Sequence, residues 1–154
     1  MLPFAPMDYE WSVRVAATSH ERANAFVRGQ RLEIGPPLAF DSELGATTAF
    51  EYLLAALGAD LTVGLRATAR RKRLDVDGVE AVVRAELDNP AVYLGVVGEE
   101  GSPALARVRV KVYVSTLEEE DTVREAWEQT LARSPLYQTL RAAVAIDLDI
   151  KIAI

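Results

Sequence analysis

Apolar residues recur along this chain with two periods, and the switches between them lay out its elements. Trp11, Val13, Val15 and Ala17 alternate with Ser12, Arg14 and Ala16, the two-residue period of a half-buried strand. After the polar, turn-like stretch 19–24, Ala25 to Val27 and Arg31 to Ile34 read as two short strands joined through Arg28-Gly29-Gln30. Gly35-Pro36-Pro37 ends this antiparallel meander, and Phe40 to Gly45 is a loop. From Thr47 to Arg73 the apolar residues change to three- and four-residue steps, which predicts the longest helix. Thr48 and Glu51 have capping-box spacing at its start, and Arg70 to Arg73 put positive charge on its negative end.

The alternating period then returns. A turn at Asp77-Gly78 leads into a strand where Val79, Ala81, Val83, Ala85 and Leu87 take one face. Asn89-Pro90 stops it, and 91–103, with Gly95, Gly98 and Gly101, reads as an extended hairpin tip with a short strand at Val92 to Val97. Arg107 to Val114 is the clearest strand, with four valines facing one way and Arg107, Arg109, Lys111 and Tyr113 the other. A second capping box, Thr116 and Glu119, predicts a helix over Leu117–Ala132 with Val123, Trp127 and Leu131 on one face. Ser134-Pro135 opens a short helix to about Ala143, and Ile146 to Ile154 alternates as a last strand. Strands and helices are grouped, not strictly alternating, so the expected class is α+β. No repeat or linker interrupts residues 1–154, which predicts a single domain.

Charge and composition remove several functions. The net charge of −6 argues against nucleic acid or an anionic membrane as partner. No apolar stretch approaches the roughly 20 residues that span a bilayer. Residues 1–11 lack the basic segment and apolar run of a signal peptide, so a soluble cytoplasmic protein is expected. With no cysteine there is no disulfide, thiol catalysis or thiolate metal site, and with one histidine no metal site is expected. Neither GxGxxG nor GxxxxGK[ST] is present, and no cofactor is expected.

Candidate chemistry centres on Asp60. By spacing, Leu53, Leu57, Asp60 and Gly64 share one helix face, so a carboxylate falls within a stripe expected to be buried. Such a group is costly unless it is paired, hydrogen-bonded or protonated. One reading makes it an acid, a base or a polar ligand anchor in an otherwise apolar pocket. The other makes it a structural carboxylate paired with an arginine or with the Ser134 hydroxyl. The small residues Ala55, Ala56, Gly58, Ala59 and Gly64 let another backbone approach, from a second helix or a partner subunit. Ser134 reads as the N-cap ahead of Pro135. As a nucleophile it needs a base, and His20, in a polar stretch, is not placed near it or Asp60 by anything in the sequence.

The run FEYLLAALGAD, residues 50–60, resembles the central helix of the OsmC/Ohr family, the osmotically inducible and organic hydroperoxide resistance proteins. There the last position carries a peroxidatic cysteine; here it is Asp60. The family's second landmark is a Cys-Pro-like step near the C-terminus, matched here by ARSPLYQTL with Ser134 in the cysteine place. The resemblance implies antiparallel sheets, a long central helix and an intertwined homodimer with two sites at the interface. It also implies that Glu51 pairs with an arginine of the N-terminal strands, Arg22 or Arg28; the alternative for Glu51 is the helix cap. Peroxide reduction followed by disulfide formation needs sulfur at both cysteine places. The expected function is therefore binding of a small, largely apolar ligand at the interface site, without thiol chemistry. The alternatives are a non-thiol enzyme using Asp60 as acid or base, and a structural or interaction homodimer related to oxidative-stress proteins.

Overall fold

A computed structural model describes residues 9–41 and 43–154, so most of the N-terminal stretch read for a leader lies outside the described residues, as does Ser42 in the 40–45 loop. The chain divides into two compact units, Met1–Tyr52 and Leu53–Ile154. Among the described residues no helix is long and apolar enough to cross a membrane.

The first unit holds an antiparallel sheet of β1 (Arg14–Ala17), β2 (Ala23–Val27) and β3 (Gln30–Ile34), in the order β1-β2-β3. Arg28 and Gly29 close the second hairpin at φ +46° and +78°. Two successive positive φ values match the twist of the flanking strands, as a two-residue hairpin turn requires. β1 begins three residues later than its alternation predicts. The β1–β2 pairing ends at Arg14 opposite Phe26, and β2 ends at Val27 before the turn at Arg28, so Trp11 lies beyond any residue that β2 could pair with. The face expected to be half-buried is exposed at Trp11 (82%), Val13 and Val15.

The long helix α1 (Ala49–Arg71) starts in the first unit and continues through the second. Its capping box forms: the Glu51 N–H donates to Thr48 Oγ1 (3.1 Å), and the Thr48 N–H donates to Glu51 Oε1 (3.1 Å). Its far end closes on Arg73, at φ +58°. The Leu74 N–H reaches the Ala69 carbonyl (2.9 Å) and the Arg73 N–H the Arg70 carbonyl (3.1 Å). This is the Schellman arrangement with a non-glycine residue in the left-handed position.

In the second unit α1 lies against a sheet of β4 (Val76–Leu87), β5 (Leu105–Thr116) and β6 (Ala145–Ala153). Leu57, Leu61 and Leu65 of α1, all at most 1% exposed, join Val108, Val110, Val112 and Val114 of β5 in one core. Val123, Ala126, Trp127 and Leu131 of helix α3 (Glu120–Arg133) complete it. The buried row on α1 is thus Leu57-Leu61-Leu65-Ala69, not Leu53-Leu57-Asp60-Gly64. Leu53 is exposed, and Asp60 and Gly64 are half-buried at the row's edge. Burying a leucine contributes roughly 1.5–3 kcal/mol, so the leucine row sets the helix rotation and the carboxylate takes the margin. The glycines of α1 serve this packing. A Cβ on Gly58 would meet Val83 at 3.1 Å, and one on Gly64 would meet Thr130 of α3 at 3.2 Å.

Four local expectations change. Asp77-Gly78 is an irregularity inside β4, not a turn, because the reversal is made by the α1 cap at Arg73. Val92–Val97 does not form a strand. Asn89 accepts from the Ala91 N–H (3.1 Å) and Pro90 follows it, which winds Pro90–Tyr93 into the short helix α2. The Thr116–Glu119 box does not close, because Thr116 remains in β5 and its hydroxyl donates to the Asp75 carbonyl and accepts from the Glu118 N–H. Finally, β6 pairs with β5 in parallel while β4 pairs antiparallel, so the second sheet is mixed. The connection through α3 and α4 (Pro135–Leu140) supplies the crossover a parallel pair needs.

Replacing Arg73 by glycine removes the left-handed strain, which outweighs the larger entropy of the unfolded glycine chain. Arg73→Gly is expected to raise unfolding stability by about 0.5–1 kcal/mol in urea titration; an unchanged or lower midpoint would show that position 73 is not strained.

Candidate functional site

Asp60 and Ser134 are 74 positions apart in sequence and meet in the second unit. Ser134 ends α3 and caps α4, with extended backbone angles (φ −75°, ψ 114°) and Pro135 as the first helical residue. Its Oγ accepts the Tyr137 N–H (3.0 Å) and donates to Asp60 Oδ2. The same Oδ2 accepts the Leu136 N–H (3.2 Å). One carboxylate oxygen from α1 therefore completes the first turn of α4. Of the two structural partners expected for Asp60, the geometry gives the serine. Among the described residues Asp60 forms no ion pair.

Beside this pair lies a cavity of about 240 Å³. Asp60, Gly64, Ala67, Thr68 and Arg71 line it from α1; Thr130, Arg133 and Ser134 line it from the end of α3. Thr68, Thr130 and Ser134 are 2–4% exposed. Thr130 Oγ1 lies 3.1 Å from Thr68 Oγ1 and donates to the Ala126 carbonyl (2.8 Å), and Arg71 Nη2 donates to Thr68 Oγ1 (3.0 Å). The surroundings of Asp60 thus carry two guanidinium groups and three hydroxyls, and are more polar than the apolar stripe implied. The sequence held half of this signal. Asp60, Gly64, Ala67 and Arg71 follow at helical steps, and Thr130, Arg133 and Ser134 do the same at the end of α3. Only the packing of α1 on α3 puts the two sets together.

The other candidates lie in the first unit. Glu51 is engaged by the helix cap, and its carboxylate also accepts the Thr48 hydroxyl (2.8 Å). The Thr48 backbone N–H, then its hydroxyl, hold the Glu51 carboxyl below the usual glutamate range. Glu51 also lines a recess of about 290 Å³ with Ala39, Phe40, Asp41, Leu44 and Ala46. Neither Arg22 nor Arg28 pairs with it. Arg22 is 3.4 Å from Glu33 across the β2–β3 hairpin, and Arg28 is exposed in the hairpin turn. The cap wins locally because Thr48 is three residues from Glu51. His20 is exposed in the β1–β2 turn of the same unit.

Residues 41–149 match the sequence profile of the family described as OsmC-like protein. No curated protein sequence matches the chain. The crystal structure of an OsmC-like protein from Mycoplasma pneumoniae is similar over 96% of this chain and 100% of its own, with a TM-score of 0.80 at 14% identity. An organic hydroperoxide resistance protein OsmC from Legionella pneumophila aligns with a TM-score of 0.68 at 14% identity, over 92% of this chain and 97% of its own. An organic hydroperoxide resistance protein from Vibrio cholerae, with captopril bound in one of its active sites, aligns with a TM-score of 0.64 at 13% identity over 95% of each chain. At such identities the likeness is one of fold.

The Asp60–Ser134 bond also makes a prediction about stability. Asp60→Ala and Ser134→Ala are each expected to lower unfolding stability by about 1–3 kcal/mol, through the lost hydrogen bond and the lost cap. The double variant is expected to lose less than the sum, by about 1 kcal/mol or more in a double-mutant cycle. Strictly additive losses would mean that the two side chains do not act together.

Proposed function

This chain belongs to the OsmC family, and from that membership and its lack of cysteine we propose that it binds a small molecule at the Asp60–Ser134 cavity and has no thiol peroxidase activity. Asp60 and Ser134 stand at the family's two cysteine positions in this reading. Neither side chain supplies the sulfur that peroxide attack and disulfide resolution require. The observation that carries the proposal is the cavity of about 240 Å³ walled by both residues. The ligand's apolar body rests against Gly64 and Ala67, with polar groups of the wall fixing its orientation. The relative with captopril in an active site supports the idea that this fold accepts small organic molecules.

The working unit in this proposal is one OsmC-like domain per chain, two chains forming a homodimer with α1 at the interface. Support comes from Val63, 66% exposed in the middle of α1, beside exposed Ala55, Ala56 and Ala59. Helices and sheets normally bury such faces. A non-thiol enzyme using Asp60 as acid or base is less well supported, because Asp60 Oδ2 already accepts from Ser134 and Leu136. A purely structural role is the second reading, favoured by that same bonding. The cavity beside the pair is what speaks against it.

Native mass spectrometry of the purified chain tests the proposal. A dimer carrying a discrete added mass is expected, with the adduct lost or reduced by at least tenfold in Asp60→Ala. A bare dimer in both proteins favours the structural reading, and a monomer removes the interface.

A further inference from the structure

The Asp60–Ser134 cavity presents three charged groups, and each has hydrogen-bonding capacity to spare. Arg71 ends α1 and Arg133 ends α3. Both line the cavity, and among the described residues neither is ion-paired, although the chain carries 23 acidic side chains. An arginine in a last helical turn offsets the helix dipole wherever its side chain points. Two of them lining one recess with a carboxylate is a further constraint.

Arg71 is also held in place. Its Nη2 donates to Thr68 Oγ1, and the Thr130 hydroxyl beyond donates to the Ala126 carbonyl. That direction leaves Thr68 to donate to Thr130, 3.1 Å away, and Thr68 Oγ1 is an acceptor for Arg71. A guanidinium has five N–H donors, so four of those on Arg71 stay available, as do all five on Arg133. Asp60 Oδ2 is occupied by Ser134 and Leu136, while Oδ1 makes no hydrogen bond among the described residues. The recess thus offers cationic donors from two helix ends together with a carboxylate acceptor. At about 240 Å³ it is smaller than the roughly 300–1,000 Å³ of drug-sized pockets.

We propose that the cavity binds a small organic carboxylate that also carries a hydroxyl or ammonium group. The carboxylate is held by Arg71 and Arg133, whose planar forks match carboxylate oxygens in pairs. The hydroxyl or ammonium donates to Asp60 Oδ1, and the short carbon body lies along Gly64 and Ala67. This assignment rests on the ligand-binding reading above and adds the ligand's chemical class.

Isothermal titration calorimetry on the full chain tests it with four straight-chain series of roughly two to six carbons: carboxylic acids, ω-hydroxy acids, ω-amino acids and alcohols. At the best length, a hydroxy or amino acid is expected to bind at least tenfold more tightly than the plain carboxylate, and the alcohols not to bind. The hydroxy and amino arms tell which donor the site prefers. Arg133→Gln is expected to weaken carboxylate binding at least tenfold without moving the urea midpoint. Asp60→Asn is expected to abolish the preference for the donor-bearing acid. Carboxylate binding unchanged in Arg133→Gln overturns the assignment. If no carboxylate binds but an alcohol, or the adduct seen by native mass spectrometry, still depends on Asp60, this assignment falls and the ligand-binding reading stands. If no probe binds and the protein carries no adduct, both fall.

Discussion

The row of Leu57, Leu61 and Leu65 on α1, sealed by the valines of β5 and the inner face of α3, fixes the rest of the second unit. These side chains are at most 1% exposed, and burying each contributes roughly 1.5–3 kcal/mol. Once that row faces the sheet, Asp60 has one course left: to the edge, where a carboxylate keeps part of its hydration and finds donors. Ser134 and the Leu136 N–H are those donors. The site follows from the core packing, because α3 must lie across α1 to cover the leucines and its end must then fall beside Asp60.

The same packing explains the polarity of the cavity. Gly64 allows α3 close enough for Thr130 to stand over α1. Two buried threonines then face each other and share a hydrogen bond, so neither hydroxyl is orphaned. Arg71, one turn further along α1, donates to Thr68 and extends this chain of bonds. Arg71, although exposed, thus lines a recess that also holds a carboxylate.

How much of this was legible in advance depended on range. The valine alternation of β5 fixed a strand and its inner face, and all four valines are nearly fully buried. Thr48 with Glu51, and Ser134 with Pro135, announced two helix starts, because a cap is a bargain between residues three apart. Thr116 with Glu119 has the same spacing and failed, since Asp75, 41 positions away, claims the threonine hydroxyl. Asn89-Pro90 was read as a stop signal when it is equally a helix start, and no neighbouring strand existed to make Val92–Val97 extended. The stripe on α1 was misplaced by one helical row, because spacing identifies sets of residues that share a face but not which set the rest of the protein will cover.

Read alone, the chain specifies most of its helices and strands, the Thr48–Glu51 and Ser134 caps, the lack of cysteine, and a resemblance specific enough to name the family. Those properties rest on local geometry and on composition, which need no knowledge of distant residues. Tertiary packing settled the rest: that Asp60 bonds to Ser134 and, among the described residues, to no arginine, that Arg71 and Arg133 share a cavity, and that β6 runs parallel to β5. Each is a contact across tens of residues, set by which apolar face is worth most to bury, and periodicity along a chain carries no record of that competition.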